Sequence, residues 1–391
     1  MGKFDFDTLV ERRGTYSFKW RSAEDNDVIP LWVADMDFRV APPIIDALRQ
    51  RVEHGVFGYV SVPEAFYDAA IKWFEHRHNW RIQREWIQYT TGVVPAVSVV
   101  IKALTAPGDK VLMLTPVYNC FFSSIRNNGC LIEESPLEYH DDATYSIDWD
   151  DLERRLSDEA VKVLLFCNPH NPACRVWSRE ELSKVGNLCL KYGVRIISDE
   201  IHCELVMPGY QYTPFASLSE QLQSLVITCI SPSKAFNTAG LQAAMIVCSD
   251  PSLRTLIDRA INENEVCDLN PMGVDALIAA YNHGGEWLDE LCVYIKGNYD
   301  WLSNELLTHL PALRITPLEG TYLMWVNCRG LGMDGDQMAQ LLMEQAHVQV
   351  NAGSMYGSAG SSFIRINLAT QRSRLVEALH RIITALKYSK I

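Results

Sequence analysis

The sequence is poor in the features that mark several protein classes. Its eleven cysteines are scattered and odd in number, and none stands in a C-x-x-C pair, so neither a disulfide framework nor a zinc site is signalled. Reduced, mostly buried thiols are the expected state. No apolar run reaches the roughly 18 to 20 residues that a membrane span requires. The opening stretch MGKFDFDTLVERRG has no apolar h-region and no Ser or Thr at its sixth position, so neither a secretion signal nor an N-myristoylation pattern is met. The expectation is a soluble, cytoplasmic protein. Positive charge is also in deficit: 35 Lys and Arg against 48 Asp and Glu leave a formal net charge of −13. Such a balance repels an extended polyanion such as nucleic acid, and no local basic patch is visible to offset it. Internal repeats and low-complexity linkers are absent.

What is present suits a large globular enzyme. The 391 residues exceed the size at which one hydrophobic core usually stops growing, and the composition is 48% hydrophobic and 21% charged. Between residues 87 and 248 seven short apolar stretches read as strands: IQYTTG, VLMLTP, LIEESPLE, VKVLLFCNP, VRIISDE, LVITCIS and QAAMIVC. Helix-length segments separate several of them. Pro95 to Leu104 has apolar residues at helical spacing, and Ser178 to Tyr192 opens with the capping box Ser178-x-x-Glu181. This alternation predicts an α/β fold, a mainly parallel mixed sheet of seven strands between helices.

After Ser249 the pattern changes to long helical stretches, Pro251 to Asn264, Gly273 to Asn282 and Glu286 to Leu310. The short strands LRITP, TYLMWVNC, VQV and SFIRINL follow, then a final helix from Arg372 to Tyr388. The expected organisation is therefore a large domain over 46–283, a smaller α+β domain over 284–391, and an N-terminal segment, 1–45, that packs with the smaller domain.

Ligands of open α/β sheets collect at the carboxyl ends of the strands. Polar residues stand just past five of these ends: Thr91 and Gly92, Tyr118, Asn168 and Asn171, Asp199 and His202, and then Ser231, Ser233 and Lys234. Convergence on one site is expected. Lys234, in SPSKAF, reads either as a solvated loop lysine or as a Schiff-base lysine whose amine is desolvated enough to be nucleophilic. Asp199 ends a buried run, where it is either a helix cap or the partner of a cation such as a protonated pyridine nitrogen. The two Asn-Pro pairs of CNPHNPACRVW make a tight turn, which would also hold Asn171 rigidly enough for its amide to donate to a ring oxygen. TTGVVPAV leads from a strand into a helix, whose first-turn N–H groups attract an anion.

The motifs NPHNP, SDEIH and SPSKAFNTAGL, in this order and spacing, resemble the pyridoxal-phosphate enzymes of fold type I, the aspartate aminotransferase superfamily. Within it, WVADMDF, HGVFGY and NHGGEWLDEL look most like the MalY/PatB group of cystathionine β-lyase-like proteins. The resemblance extends from ADMDF to FIRINLA. It implies pyridoxal 5'-phosphate as cofactor and Lys234 as its covalent anchor. Asp199 would pair with the pyridine nitrogen, Asn171 would bond the phenolic oxygen, and Tyr118 would stack on the ring. The Val93 and Val94 N–H groups, with the Ser231 and Ser233 hydroxyls, would hold the phosphate. Tyr59 would reach the cofactor of a neighbouring subunit, which implies a homodimer, and Arg365 would clamp the substrate carboxylate as a bidentate pair. Some members of the group also bind and restrain a transcription activator, which makes a regulatory protein a further implied partner.

Three positions depart from the superfamily pattern. Cys174 replaces a glycine in NPACR, which is expected to alter the turn. His202 stands where many aminotransferases have a tyrosine near the phenolic oxygen, and Gln242 stands where many place a phosphate-binding arginine. With the subgroup resemblance, Gln242 favours carbon–sulfur β-elimination from cystathionine, cystine or another S-substituted cysteine. Transamination on the same fold is the alternative.

Overall fold

The computed structural model describes residues 2–21 and 27–388. The expected N-terminal and C-terminal units therefore extend past the described residues, at Met1 and 22–26 and at 389–391.

Seven strands form the large sheet: β1 (Ile87–Thr90), β2 (Lys110–Thr115), β3 (Leu131–Pro136), β4 (Val161–Cys167), β5 (Arg195–Asp199), β6 (Val226–Ile230) and β7 (Ala244–Val247). Their spatial order is β1-β7-β6-β5-β4-β2-β3. Only β7 runs against the others. The chain thus leaves β6 and re-enters β7 at the same edge, where the carboxyl ends of the parallel strands also lie. The apolar runs are continuous because both faces are covered. In β4, Val163, Leu165 and Cys167 enter one core, and Leu164 and Phe166 enter the other. The first core packs against the helices Val93–Leu104 and Pro251–Glu263, and the second against Arg179–Tyr192 and Pro271–His283.

Smaller differences from the sequence reading have local causes. The first of these helices starts at Val93 rather than Pro95, because proline with its fixed φ is accommodated inside a first turn. Glu138, read as the end of the strand LIEESPLE, belongs instead with Tyr139 to a two-stranded ribbon with Tyr145–Ser146. The capping box is present as read, with Glu181 N–H donating to Ser178 Oγ and Ser178 N–H to Glu181. Two helices at the N-terminal end of the chain, Pro42–His54 and Glu64–His78, were not assigned from the sequence.

A second, antiparallel sheet comprises β8 (Arg314–Ile315), β9 (Leu323–Asn327), β10 (Asn351–Ala352) and β11 (Phe363–Asn367), in the order β8-β9-β11-β10. Val348–Gln349, read as a strand of this sheet, pairs instead with Ile29–Pro30. The N-terminal segment continues from there along β11, where Asn367 N–H donates to the Leu31 carbonyl.

A buried ion cluster fixes this segment. Asp37 accepts from Lys19 Nζ at 2.9 Å, Trp20 Nε1 at 2.9 Å and Arg12 Nη1 at 2.8 Å. Neither Lys19 nor Asp37 exposes its side chain to solvent. Burial alone would raise the Asp37 pKa, but Lys19, Trp20 and Arg12 outweigh it and hold the group down at about 2. Its stabilisation is therefore complete above the ordinary value of 3.8 and is lost as pH falls through about 2. Urea titration of Asp37→Ala should show a loss of ~3–5 kcal/mol, because the buried Lys19 keeps only the more distant Asp35 carboxylate, at 3.7 Å. The difference from the parent protein should shrink as the titration is repeated from pH 5 down toward pH 2.

Candidate active site

A cavity of about 440 Å³ opens at the carboxyl edge of the large sheet, where β11 and the N-terminal segment cover it. Val93, Val94, Tyr118, Asn171, Asp199, His202, Ser231, Ser233, Lys234 and Arg365 all line it, as does Gln242 at its exposed rim. Strand ends far apart in sequence are thus brought together, as the pattern of polar residues at those ends suggested. Asn168 is turned away, its amide donating to the Thr213 carbonyl and to the buried Glu200 carboxylate. Tyr59 does not reach the cavity of its own chain; it lies fully exposed between the helices Pro42–His54 and Glu64–His78.

The electrostatics of the cavity are set by buried groups without ionic partners. Asp199 is buried at the end of β5 and accepts a hydrogen bond from Ile201 N–H at 3.1 Å. Among the described residues no cation lies within ion-pair distance of it. Burial pushes its pKa up to about 7, with Glu200 adding to the shift, while Ile201 and Lys234 oppose it. Arg365 is equally enclosed. Its Nη1 donates to Asn171 Oδ1 at 3.1 Å and its Nη2 to the Trp32 carbonyl at 3.0 Å, but among the described residues Nε has no partner and no carboxylate is paired with the guanidinium. A guanidinium buried in this way costs several kcal/mol unless an anion arrives.

Lys234 completes the set. Its Nζ donates to the Ala34 carbonyl at 2.5 Å. Burial and, secondarily, the charge of Arg365 depress its pKa to about 8, against the opposing pull of Asp35 and Asp199. Near neutral pH about a tenth of the amine is then unprotonated, far more than for an ordinary lysine, which is the condition a lysine nucleophile needs. His202 is held neutral by burial and by the Lys234 and Arg365 charges; its ring meets Tyr322 edge-on, and its Nδ1 has no partner.

The anion-binding end of the cavity is the start of the helix Val93–Leu104. Gly92 caps it in an extended conformation with no side-chain bond, and Pro95 carries no N–H. The first backbone bond of the helix is made by Ala96 to the Gly92 carbonyl, which leaves the Val93 and Val94 N–H groups free. Ser233 lies beside them in the cavity lining. Ser231 differs from the sequence reading: its hydroxyl already donates to the Ala243 carbonyl at 2.7 Å and accepts from Ser233 N–H at 3.1 Å. It shapes the lysine loop and has no free proton to offer a phosphate in this arrangement.

Cys174 does not alter the turn it occupies. It adopts the left-handed φ of 61° that a glycine would supply, and its buried thiol points to the carbonyls of Leu323 at 2.9 Å and Pro172 at 3.1 Å. Contacts with β9 thus hold a conformation that costs a non-glycine residue about 1 kcal/mol or more. The sequence reading missed Phe18, Trp32, Ala34, Asn119, Cys120 and Met355, which also line the cavity. Trp32 and Ala34 contribute through main-chain carbonyls, which side-chain chemistry does not reveal; WVADMDF stood out only as a resemblance.

Residues 26–382 match the family model of aminotransferases of class I and II. Cystathionine beta-lyase PatB of Bacillus subtilis is 40% identical over 386 residues, covering 98% of this chain and all of that one. Protein MalY of Escherichia coli is 33% identical, over 98% and 99% of the two chains. Among solved structures, cystalysin of Treponema denticola, which contains a pyridoxal 5'-phosphate cofactor, superposes with a TM-score of 0.96 at 37% identity over 99% of both chains. On matches of this extent, the chain belongs to the class I and II aminotransferase family, in the branch that includes PatB and MalY.

Proposed function

We propose that the protein is a pyridoxal-phosphate-dependent carbon–sulfur β-lyase that converts an S-substituted cysteine such as cystathionine or cystine to pyruvate, ammonia and a thiol. The observation that carries the site assignment is the pair of buried groups without ionic partners, Asp199 lacking a cation and Arg365 lacking a carboxylate. The cofactor and an amino acid supply both. The choice of elimination over transamination rests on kinship with PatB and MalY.

The residues divide the work. Lys234 would anchor the cofactor covalently, and its amine is the group placed to take a proton from the substrate α-carbon. Asp199 would hold a proton on the pyridine nitrogen, Asn171 and His202 would serve the phenolic oxygen, and Tyr118 would cover the ring. The Val93 and Val94 N–H groups and Ser233 would receive the phosphate, with Ser231 supporting the loop. Bound in this way, the cofactor serves as an electron sink for the α-carbon. Arg365 binds the α-carboxylate, which fixes the substrate relative to Lys234.

Several further readings belong to this proposal. The protein is a homodimer in which Tyr59 serves the neighbouring subunit's phosphate; its full exposure, beside the exposed Val56 and Phe57, supports this. Residues 46–283 and 284–391 act as a larger and a smaller domain, with 1–45 packed on the latter. Eleven unpaired cysteines, nine of them buried, support a reducing, cytoplasmic location. A regulatory protein partner is retained from the kinship with MalY alone. Among the described residues no helix is long and apolar enough to cross a membrane.

The direct assay offers L-cystathionine without a keto acid and scores pyruvate. Product that forms only when an amino acid and an α-keto acid are both supplied would establish transamination instead. Lys234→Ala should abolish the borohydride-sensitive visible absorption of the holoenzyme and lower kcat by at least about a thousandfold. Arg365→Lys should keep the absorption band and lower kcat/KM roughly ten- to a hundredfold, mainly through KM, since a point charge replaces a bidentate fork. In cofactor-free protein, uptake of pyridoxal phosphate by Lys234 should accelerate as pH rises through about 8, where the amine loses its proton. Uptake that instead slows over that range would refute the depressed value.

A further inference from the structure

The motif WVADMDF is not accounted for by the chemistry above, yet its backbone carbonyls accept side-chain hydrogen bonds from several elements around the cavity. The Trp32 carbonyl accepts from Arg365 Nη2 and Asn351 Nδ2, both at 3.0 Å. Two residues on, the Ala34 carbonyl accepts from Lys234 Nζ at 2.5 Å and the Tyr322 hydroxyl at 2.9 Å. One short strap therefore touches both the carboxylate-binding guanidinium and the reactive amine, which come from different parts of the chain.

Each of those two cations has an asparagine nearby in sequence that grips the same strap. Asn367, two residues after Arg365 on β11 and fully buried, donates through Nδ2 to the Val33 and Asp35 carbonyls, both at 2.6 Å. Its Oδ1 accepts from Ala369 N–H at 2.8 Å. Asn237, three residues after Lys234, donates through Nδ2 to the Met36 and Phe38 carbonyls at 3.0 and 3.1 Å, and its Oδ1 accepts from Met36 N–H at 3.0 Å. Asn237 holds a left-handed φ of 56°, which turns its amide toward the strap. The Asp37 cluster with Lys19 and Arg12 anchors the far end.

Anchoring the strap alone would need contacts from one side. Instead the Lys234 loop and the Arg365 strand each close on neighbouring carbonyls of the same seven residues. We propose that Trp32–Phe38 is a backbone template that sets the separation of the Lys234 amine from the Arg365 guanidinium, and that Asn237 and Asn367 are the positioning residues that register the two segments on it. This rests on the assignment of Lys234 as base and Arg365 as carboxylate anchor. An amino acid held by its carboxylate then presents its α-hydrogen at a distance set by the template, and a misplacement of about 1 Å can cost on the order of a hundredfold in rate.

The test uses the holoenzyme with L-alanine, which has no β-leaving group, and follows exchange of its α-proton with D2O by NMR. Exchange reads Lys234 as base whether or not elimination follows, so failure of the template and failure of the lyase reading are distinguishable. Asn237→Gly, which keeps the left-handed backbone, and Asn367→Ala are each expected to slow exchange by about ten- to a hundredfold with the visible absorption band retained. The double variant should be no slower than the worse single one, because residues acting through one element do not add. Hydrogen–deuterium exchange should show residues 32–38 losing amide protection in either variant. If Asn367→Ala is recovered unfolded, Asn367→Ser takes its place in the cycle. Unchanged exchange in either single variant, a double-variant loss equal to the product of the two, or unaltered strap protection would overturn the proposal. Exchange at the parent rate in Lys234→Ala would instead overturn the assignment on which it rests.

Discussion

Desolvation at the carboxyl edge of the large sheet is the constraint on which the rest of the structure depends. Lys234, Asp199 and Arg365 are drawn into one cavity, and among the described residues no ion pair relieves any of them. The same burial that lowers the lysine raises the aspartate, and an ordinary protein would avoid both costs by pairing the groups. Here the compensation is left to ligands. In the proposed reading a protonated ring nitrogen would answer Asp199, a carboxylate would answer Arg365, and a covalent bond would absorb the amine.

Holding such groups apart without letting them pair requires rigid support, and the support is mostly uncharged. Asn171 occupies one face of Arg365 as a neutral acceptor, backbone carbonyls of Trp32 and Ala34 take further bonds from Arg365 and Lys234, and Ile201 N–H is the donor to Asp199. A strongly ionic cluster, Asp37 with Lys19 and Arg12, sits at the end of the N-terminal strap. Charge is thus neutralised where position matters and left open where chemistry is needed.

Much of this was legible in the sequence. The seven strands, the lysine loop and the convergence of strand-end polar residues follow from apolar runs punctuated by Gly, Pro, Asn and Ser, and the structure brings ten of the expected site residues into one cavity. Other features were not legible, for physical reasons. Val348–Gln349 pairs with the N-terminal segment because pairing partners of two-residue strands are set by tertiary packing, not by periodicity. The Ser231 hydroxyl is satisfied by a carbonyl twelve residues away, which no local pattern announces. Cys174 keeps a glycine's conformation because its thiol is wedged against β9, so the substitution changes side-chain packing rather than the turn. The carbonyl contacts of the strap are invisible to side-chain reasoning altogether.

The central claim is that the buried Asp199 lacks a cation because the cofactor brings one. Nitrogen-15 NMR of the holoenzyme prepared with ring-labelled pyridoxal phosphate tests it directly. The account predicts a pyridine nitrogen that stays protonated at pH 8 and loses that proton in Asp199→Asn; an unprotonated nitrogen in the parent enzyme, or one indifferent to Asp199, would contradict it.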